Sequence, residues 1–422
     1  MLQTREILPG ITLRCMQDSR FKQSALSIQF LRPMAESEAA LNALLPAVLL
    51  RGCRDYPDLQ LITQRLDDLY GASIGTLVRR IGDYQTTGFY CGFMEDRFAL
   101  EGDRILDPMI QFALQLLLDP ITEDGGFSRE FIDSEKKNLI STIESERSDK
   151  RTYAAARLLR IMCRSDSFGI PRLGEIPQVE AIDPVNAYQH YQKILRESPI
   201  EIFYVGSCAM ETIADLLLPQ LAKLQRQTQP LPAQTPFQDC EGSEEWEQQN
   251  ITQGKLSMGF VTPITNRDPQ FAAMQVMNAI FGSGMTSKLF MEVREKRSLC
   301  YAIGSGYYGS KGILTVNAGI DTRQEQQTKA AIFAQLDACR QGQITESELS
   351  AAKESILSGL RAVYDGPGAM ENFFSTAAIS GLNRTPESYS QQIRAVTVAD
   401  VAAAANTLRF HSAFFLKGVA HD

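Results

Sequence analysis

The residues from which nucleophilic chemistry could be assembled are few. Cys300 and the Gly282-Ser283-Gly284 stretch are the candidates, and neither lies in a G-x-S-x-G elbow. A nucleophile of this kind needs a base, most often His, and the chain has only His190, His411 and His421. A turn or core role is the better reading of both candidates. Eight cysteines (Cys15, Cys53, Cys91, Cys163, Cys208, Cys240, Cys300 and Cys339) are scattered singly, with no Cys-x-x-Cys pair. That pattern fits reduced thiols in a cytoplasm rather than a disulfide framework, and it supplies no Cys/His zinc cluster. The glycines form no G-x-x-x-x-G-K-[ST] phosphate loop.

Composition narrows the field further. With 44% hydrophobic and 22% charged residues, the 422-residue chain reads as globular and long enough for two domains. The net charge of -8, without a dense Lys/Arg run, argues against nucleic acid as a partner. The N-terminus lacks a charged-then-apolar leader pattern, and apolar runs such as Ala43 to Leu50 fall short of the ~20 residues that span a bilayer. A protein of the cytoplasm, with no membrane partner, is expected.

The elements that would position any site fall into two halves. The Gln-, Pro- and Thr-rich stretch between Gln225 and Asn250 has no apolar period and reads as a linker, giving domains over 1–224 and 251–422. The halves look like a diverged repeat. Each has a strand pair, Ala72 to Val78 with Tyr84 to Phe93, then Leu299 to Tyr307 with Gly312 to Ala318. Each then has a Thr cap candidate, Thr122 or Thr345, before an acidic turn and an amphipathic helix, Phe131 to Ile143 or Leu349 to Leu360. Strand-rich starts and helical ends predict α+β domains, each a mostly antiparallel sheet with helices on one face.

The segment from Phe281 to Tyr301, Phe-Gly-Ser-Gly-Met-Thr-Ser-Lys-Leu-Phe-Met-Glu-Val-Arg-Glu-Lys-Arg-Ser-Leu-Cys-Tyr, resembles the C-terminal-half signature of the M16 zinc metallopeptidases, the pitrilysin and mitochondrial processing peptidase family. The resemblance covers essentially the whole chain. It implies two homologous domains of the kind shared by LuxS and the processing peptidases, together forming half of a clamshell. Active members carry His-x-x-Glu-His, in which the His residues bind zinc and the Glu is the general base. Counting back from the Leu50-Arg51-Gly52 landmark places Ala43 and Ala47 at the His positions and Pro46 at the base. With Glu135 taken as the reference Glu, the third ligand position is Thr142. None of the four can bind zinc or move a proton, and no His precedes His190, so no metal or other cofactor is expected.

What remains of the signature is an Arg and a Tyr seven residues apart, Arg294 and Tyr301. In the family such a pair reaches the substrate backbone and the oxyanion, tasks that suit a guanidinium and a phenol. Lys296 and Arg297 lie beside them at the wrong spacing. Some M16 assemblies are heterodimers whose zinc-less subunit supplies this pair, and the chain resembles that subunit. The phrases Leu66-Asp-Asp-Leu-Tyr-Gly-Ala72 and Arg294-Glu-Lys-Arg-Ser-Leu-Cys-Tyr301 are similar to a bacterial zinc-less group associated with modification of elongation factor P. The resemblance implies a zinc-bearing M16 partner and a peptide or unfolded polypeptide as substrate, and leaves open whether the chain forms a homodimer where the partner is lacking. A non-catalytic scaffold or peptide-binding module is the alternative, and a peptidase acting alone would need a metal site that the sequence lacks.

Overall fold

The computed structural model describes residues 2–238 and 240–418, so His421 lies outside the described residues. The chain forms two compact units, each built from discontinuous segments. The first comprises residues 1–144, 170–233 and 364–379; the second comprises 145–169, 234–363 and 380–422.

The first unit is built on a six-stranded sheet. Its strands are β1 (Leu2–Leu8), β2 (Ile11–Gln17), β3 (Gln23–Pro33), β4 (Ser73–Ile81), β5 (Tyr84–Met94) and, after a short β6–β7 hairpin (Thr122–Glu123 and Gly126–Phe127), β8 (Ile200–Gly206). The order is β1-β2-β8-β3-β5-β4, all antiparallel except β2 with β8. Period-two alternation along β3 sends Leu26, Ile28 and Phe30 into a core shared with the helices Glu36–Leu49 and Leu106–Leu118. Ser27 and Gln29 point the other way, toward the helix Pro367–Ile379, where both donate to the fully buried Glu371 carboxylate at 2.8 and 3.1 Å. Arg79 of β4 completes this cluster with bonds of 3.2 and 3.0 Å to the two Glu371 oxygens.

The second unit repeats the plan with β9 (Glu244–Gln248), β10 (Gly254–Val261), β11 (Ala302–Tyr308), β12 (Ile313–Ile320) and β13 (Arg409–Lys417), in the order β11-β12-β10-β13-β9. The register repeats across the matched strands, apart from a shift in β10 between Gly259 and Phe260. Leu26 pairs with Cys91 and Tyr204, and Leu256 pairs with Ala318 and Phe415. Ile74 and Ile303 take matching places, as do Cys15 and Trp246, the last pair on strands that run parallel to their neighbours. The repeat read from the sequence therefore extends to strand order and direction. One face of this sheet packs Phe414 and Leu416 on Leu158 and Met162 of the helix Lys150–Met162. Gly259 permits that approach, because a Cβ there would come within 2.2 Å of the Met162 sulfur. On the opposite face Phe260 meets Phe333 of the helix Glu325–Arg340.

Two local expectations change. Thr345 caps the helix Glu346–Ala362 through a capping box with Glu348, as the spacing predicts. Thr122 caps nothing: it opens the β6–β7 hairpin, and the helix Arg129–Ser148 starts seven residues later. The positive φ of Asp124 and Gly125 (48° and 79°) makes that turn. Residues 244–248, inside the stretch without apolar period, form the edge strand β9; its side chains are all exposed or half-buried, which explains the missing period.

In the second unit Lys311 and Asp166, whose side chains are 0% and 1% exposed, pair at 2.9 Å. Asp166 also accepts the main-chain N–H groups of Phe168 and Gln238 at 2.8 and 3.1 Å. Removing the cation alone strands a buried carboxylate. Lys311→Met is expected to cost about 3–5 kcal/mol in urea denaturation. Lys311→Met combined with Asp166→Asn should recover part of the loss, since the neutral amide removes the stranded charge and its oxygen keeps one of the two N–H donors.

Candidate functional site

The first-half positions that would hold a metal lie on or near the helix Glu36–Leu49. Ala43 and Pro46 are buried in it and Ala47 is half-buried. Pro46 has no N–H, so the carbonyl of Asn42, one turn back, loses its helical donor. Thr87 of β5 replaces that donor, its hydroxyl lying 2.6 Å from the Asn42 oxygen. The Asn42 side chain is bound at both ends, donating to Gln85 at 2.8 Å and facing His190 Nε2 at 2.8 Å. Burial holds His190 down to about 4, so the ring is neutral near pH 7 and donates to the Asn42 oxygen. The imidazole nearest this helix is thus committed to a core hydrogen bond.

Thr142 is exposed on the helix Arg129–Ser148, and its hydroxyl bonds back to the Asn138 carbonyl at 2.9 Å. The two register landmarks do meet: Arg51 pairs with Glu135 at 3.5 Å. Among the described residues no group of three or more His, Cys, Asp or Glu side chains could hold a metal ion. The residues present therefore do not fit the family's zinc.

Arg294 and Tyr301 lie at opposite ends of one short device in the second unit. Residues Leu289–Glu295 form a π-helix, with Lys296 N–H donating to the Met291 carbonyl at 3.1 Å. π-turns of this kind are frequent at functional sites. The chain then reverses at Ser298, whose φ of 51° lies in the left-handed region, and Leu299 N–H closes onto the Val293 carbonyl at 3.1 Å. The first unit uses the same closure, Ala72 N–H to Leu66 carbonyl at 3.0 Å, with Gly71 in the left-handed place. That correspondence joins the two phrases singled out in the sequence.

Beyond the turn, Tyr301 N–H is fixed to the Gly319 carbonyl at 2.9 Å, immediately before β11 begins. Tyr301 is 70% exposed, and its hydroxyl has no hydrogen-bond partner among the described residues. The Arg294 guanidinium stacks over Phe290, 4.5 Å from the ring centre, and makes only a loose 3.7 Å contact with Glu295. No direct bond joins the two side chains; the turn fixes their backbones and leaves both polar ends free. Cys300, between them, is buried, and burial pushes its thiol up to about 11, although Arg294 opposes the shift. A thiol held in that state is a poor nucleophile. The sequence identifies the pair but not the π-turn or the strained serine, because both depend on main-chain closure rather than residue type.

Residues 182–356 match the peptidase M16 inactive domain. The chain is 27% identical over 409 residues to the probable inactive metalloprotease YmfF of Bacillus subtilis, covering 97% of this chain and 96% of that one. A conserved protein of Enterococcus faecalis has a crystal structure that matches with a TM-score of 0.93 at 26% identity, over 100% of this chain and 99% of that one. The peptidase M16 inactive domain of Pseudomonas fluorescens shares the fold, with a TM-score of 0.82 at 17% identity and coverage of 100% and 99%. Over nearly its whole length the chain is thus similar to a probable inactive metalloprotease, and residues 182–356 match the inactive domain of the M16 peptidases.

Proposed function

We propose that this chain is the zinc-less subunit of a two-subunit M16 peptidase, and that Arg294 and Tyr301 hold the substrate for a partner that carries the metal. One contrast supports the reading above all. The metal positions Ala43, Pro46, Ala47 and Thr142 carry no ligand side chain, while Arg294 and Tyr301 keep free polar ends on a well-defined turn. A guanidinium so placed can donate hydrogen bonds to the carbonyl or carboxylate of an extended peptide. A phenol with a free O–H can donate to the oxygen that gains charge when metal-bound water attacks. In this division of labour the partner supplies zinc and the general base, and this chain supplies grip and charge stabilisation. The narrower assignment, to assemblies associated with elongation factor P modification, rests on the phrases Leu66 to Ala72 and Arg294 to Tyr301. The pair would act on peptides or unfolded polypeptide, and the chain alone would self-associate without peptidase activity.

The test is reconstitution with the zinc-bearing M16 protein that co-purifies in equal amount. Arg294→Ala or Tyr301→Phe should each lower the kcat of the pair by about 10²-fold, the usual effect of removing one such donor. Assembly, read by gel filtration, should be unchanged. Full activity in the double variant would move the weight to a non-catalytic scaffold. Zinc analysis discriminates independently, since the metal should appear only when the companion is present.

The turn itself offers a second check. Ser298→Gly removes a side chain from a left-handed position and should raise stability by about 1 kcal/mol in urea denaturation while leaving activity in place.

A further inference from the structure

The second unit holds a cavity of about 560 Å3 that none of the catalytic reasoning above uses. Its floor is a polar face of the sheet formed by matched rows across three strands. Ser257, Asn317 and Gly304 make one row, and Lys255, Gly319 and Ala302 the next. Ser257 donates to Asn317 Oδ1 at 2.7 Å, which leaves the Asn317 amide N–H groups without a partner among the described residues. Gly304 and Gly306 of the edge strand β11 add no side chain, so a ligand can approach the main chain there. The start of the helix Lys150–Met162 forms a wall.

The charges in this cavity are unevenly matched. Asp149, its only lining carboxylate, is engaged as the helix cap, accepting Arg151 N–H at 3.0 Å and the Thr152 hydroxyl at 2.8 Å. The Arg151 side chain has no hydrogen bond or ion pair among the described residues, and Lys255 bonds only to the neutral Gln253 side chain. Two cations, the free amide of Asn317 and a helix N-terminus therefore converge in a chain whose net charge is -8. Burial, and then Arg151, hold the Lys255 ammonium below its ordinary range, with Asp149 opposing, so the ammonium is short of negative charge.

We propose that this cavity binds an acidic side chain of an extended polypeptide, its carboxylate between Arg151 and Lys255 and its main chain alongside β11. The proposal rests on the peptide-holding role suggested above and adds a substrate class, peptides carrying Asp or Glu. The glycine-lined trough favours an extended polypeptide over a compact small anion by its length and lack of side chains, although Ser305 N–H is already bonded to the Gly282 carbonyl at 3.0 Å.

The experiment measures anisotropy of a fluorescein-labelled peptide of alternating Thr and Glu, and of the same peptide with Gln for Glu, against the full chain. The Glu peptide should bind about tenfold more tightly, the scale of a charge-assisted pair. That preference should weaken as salt rises. Arg151→Gln and Lys255→Gln should each erode it, and Arg151→Lys should restore part of it, with thermal unfolding unchanged in every variant. Equal binding of the two peptides, or a preference untouched by both Gln variants, overturns the proposal. Displacement by citrate at concentrations similar to the peptide overturns the polypeptide assignment. The same assay on Arg294→Ala/Tyr301→Phe separates the two ideas. A retained Glu preference with lost peptidase activity supports both, while a lost preference with intact Arg151 and Lys255 overturns this one alone.

Discussion

Two buried carboxylates constrain this architecture more than any other contact. In the first unit Glu371 sits at zero exposure on the helix Pro367–Ile379 and is matched by Arg79, Ser27 and Gln29. In the second, Asp166 follows the helix Lys150–Met162 and is matched by Lys311. Both helices reach their sheets from the opposite half of the sequence. Helix-on-sheet packing by apolar contact alone tolerates sliding, whereas a buried charge is costly in every position but the one that supplies its counter-charge and donors. Each delivered segment is therefore fixed in place as well as attached. The strand rows that carry the candidate site depend on that placement, since the Lys150–Met162 helix covers the sheet whose edge leads into Tyr301.

Much of this was legible in the residues. Alternation in Ile313 to Ala318, the Thr345-Glu348 spacing and the absence of ligands at Ala43, Pro46 and Ala47 all depend on neighbours in sequence or on side-chain type, and each can be read locally. Thr122 misled because a cap and a hairpin share the same polar residues, and only the positive φ at Asp124 and Gly125 separates them. The edge strand β9 was hidden in a segment without apolar period because it buries neither face. The cavity could not be foreseen at all. Arg151 and Lys255 are over a hundred positions apart (255 − 151 = 104), and their approach is set by which sheet the Lys150–Met162 helix covers.

Around Pro46 the first unit is tightly consolidated. Pro46 removes a helical hydrogen bond, and Thr87 restores the acceptor's partner; Asn42 then recruits Gln85 and His190. This stretch of the helix is integrated with the core. The second unit shows the opposite tendency. There the serine in a left-handed turn and the π-helix keep the Tyr301 hydroxyl exposed without a partner and Arg294 only loosely paired, an arrangement with no evident benefit to stability. One half is satisfied by packing, and the other retains strain where packing would not require it.

The crossed delivery of helices has a consequence for how such a chain can change through inheritance. A tandem duplication whose copies each kept their own covering helix could later lose, shuffle or replace one copy. Here the segments 145–169 and 364–379 complete each other's neighbours, so neither contiguous half of the gene encodes a whole hydrophobic core. Recombination can accept or discard only the entire chain. Each half is therefore held in place by its sister's folding, whatever its own side chains contribute.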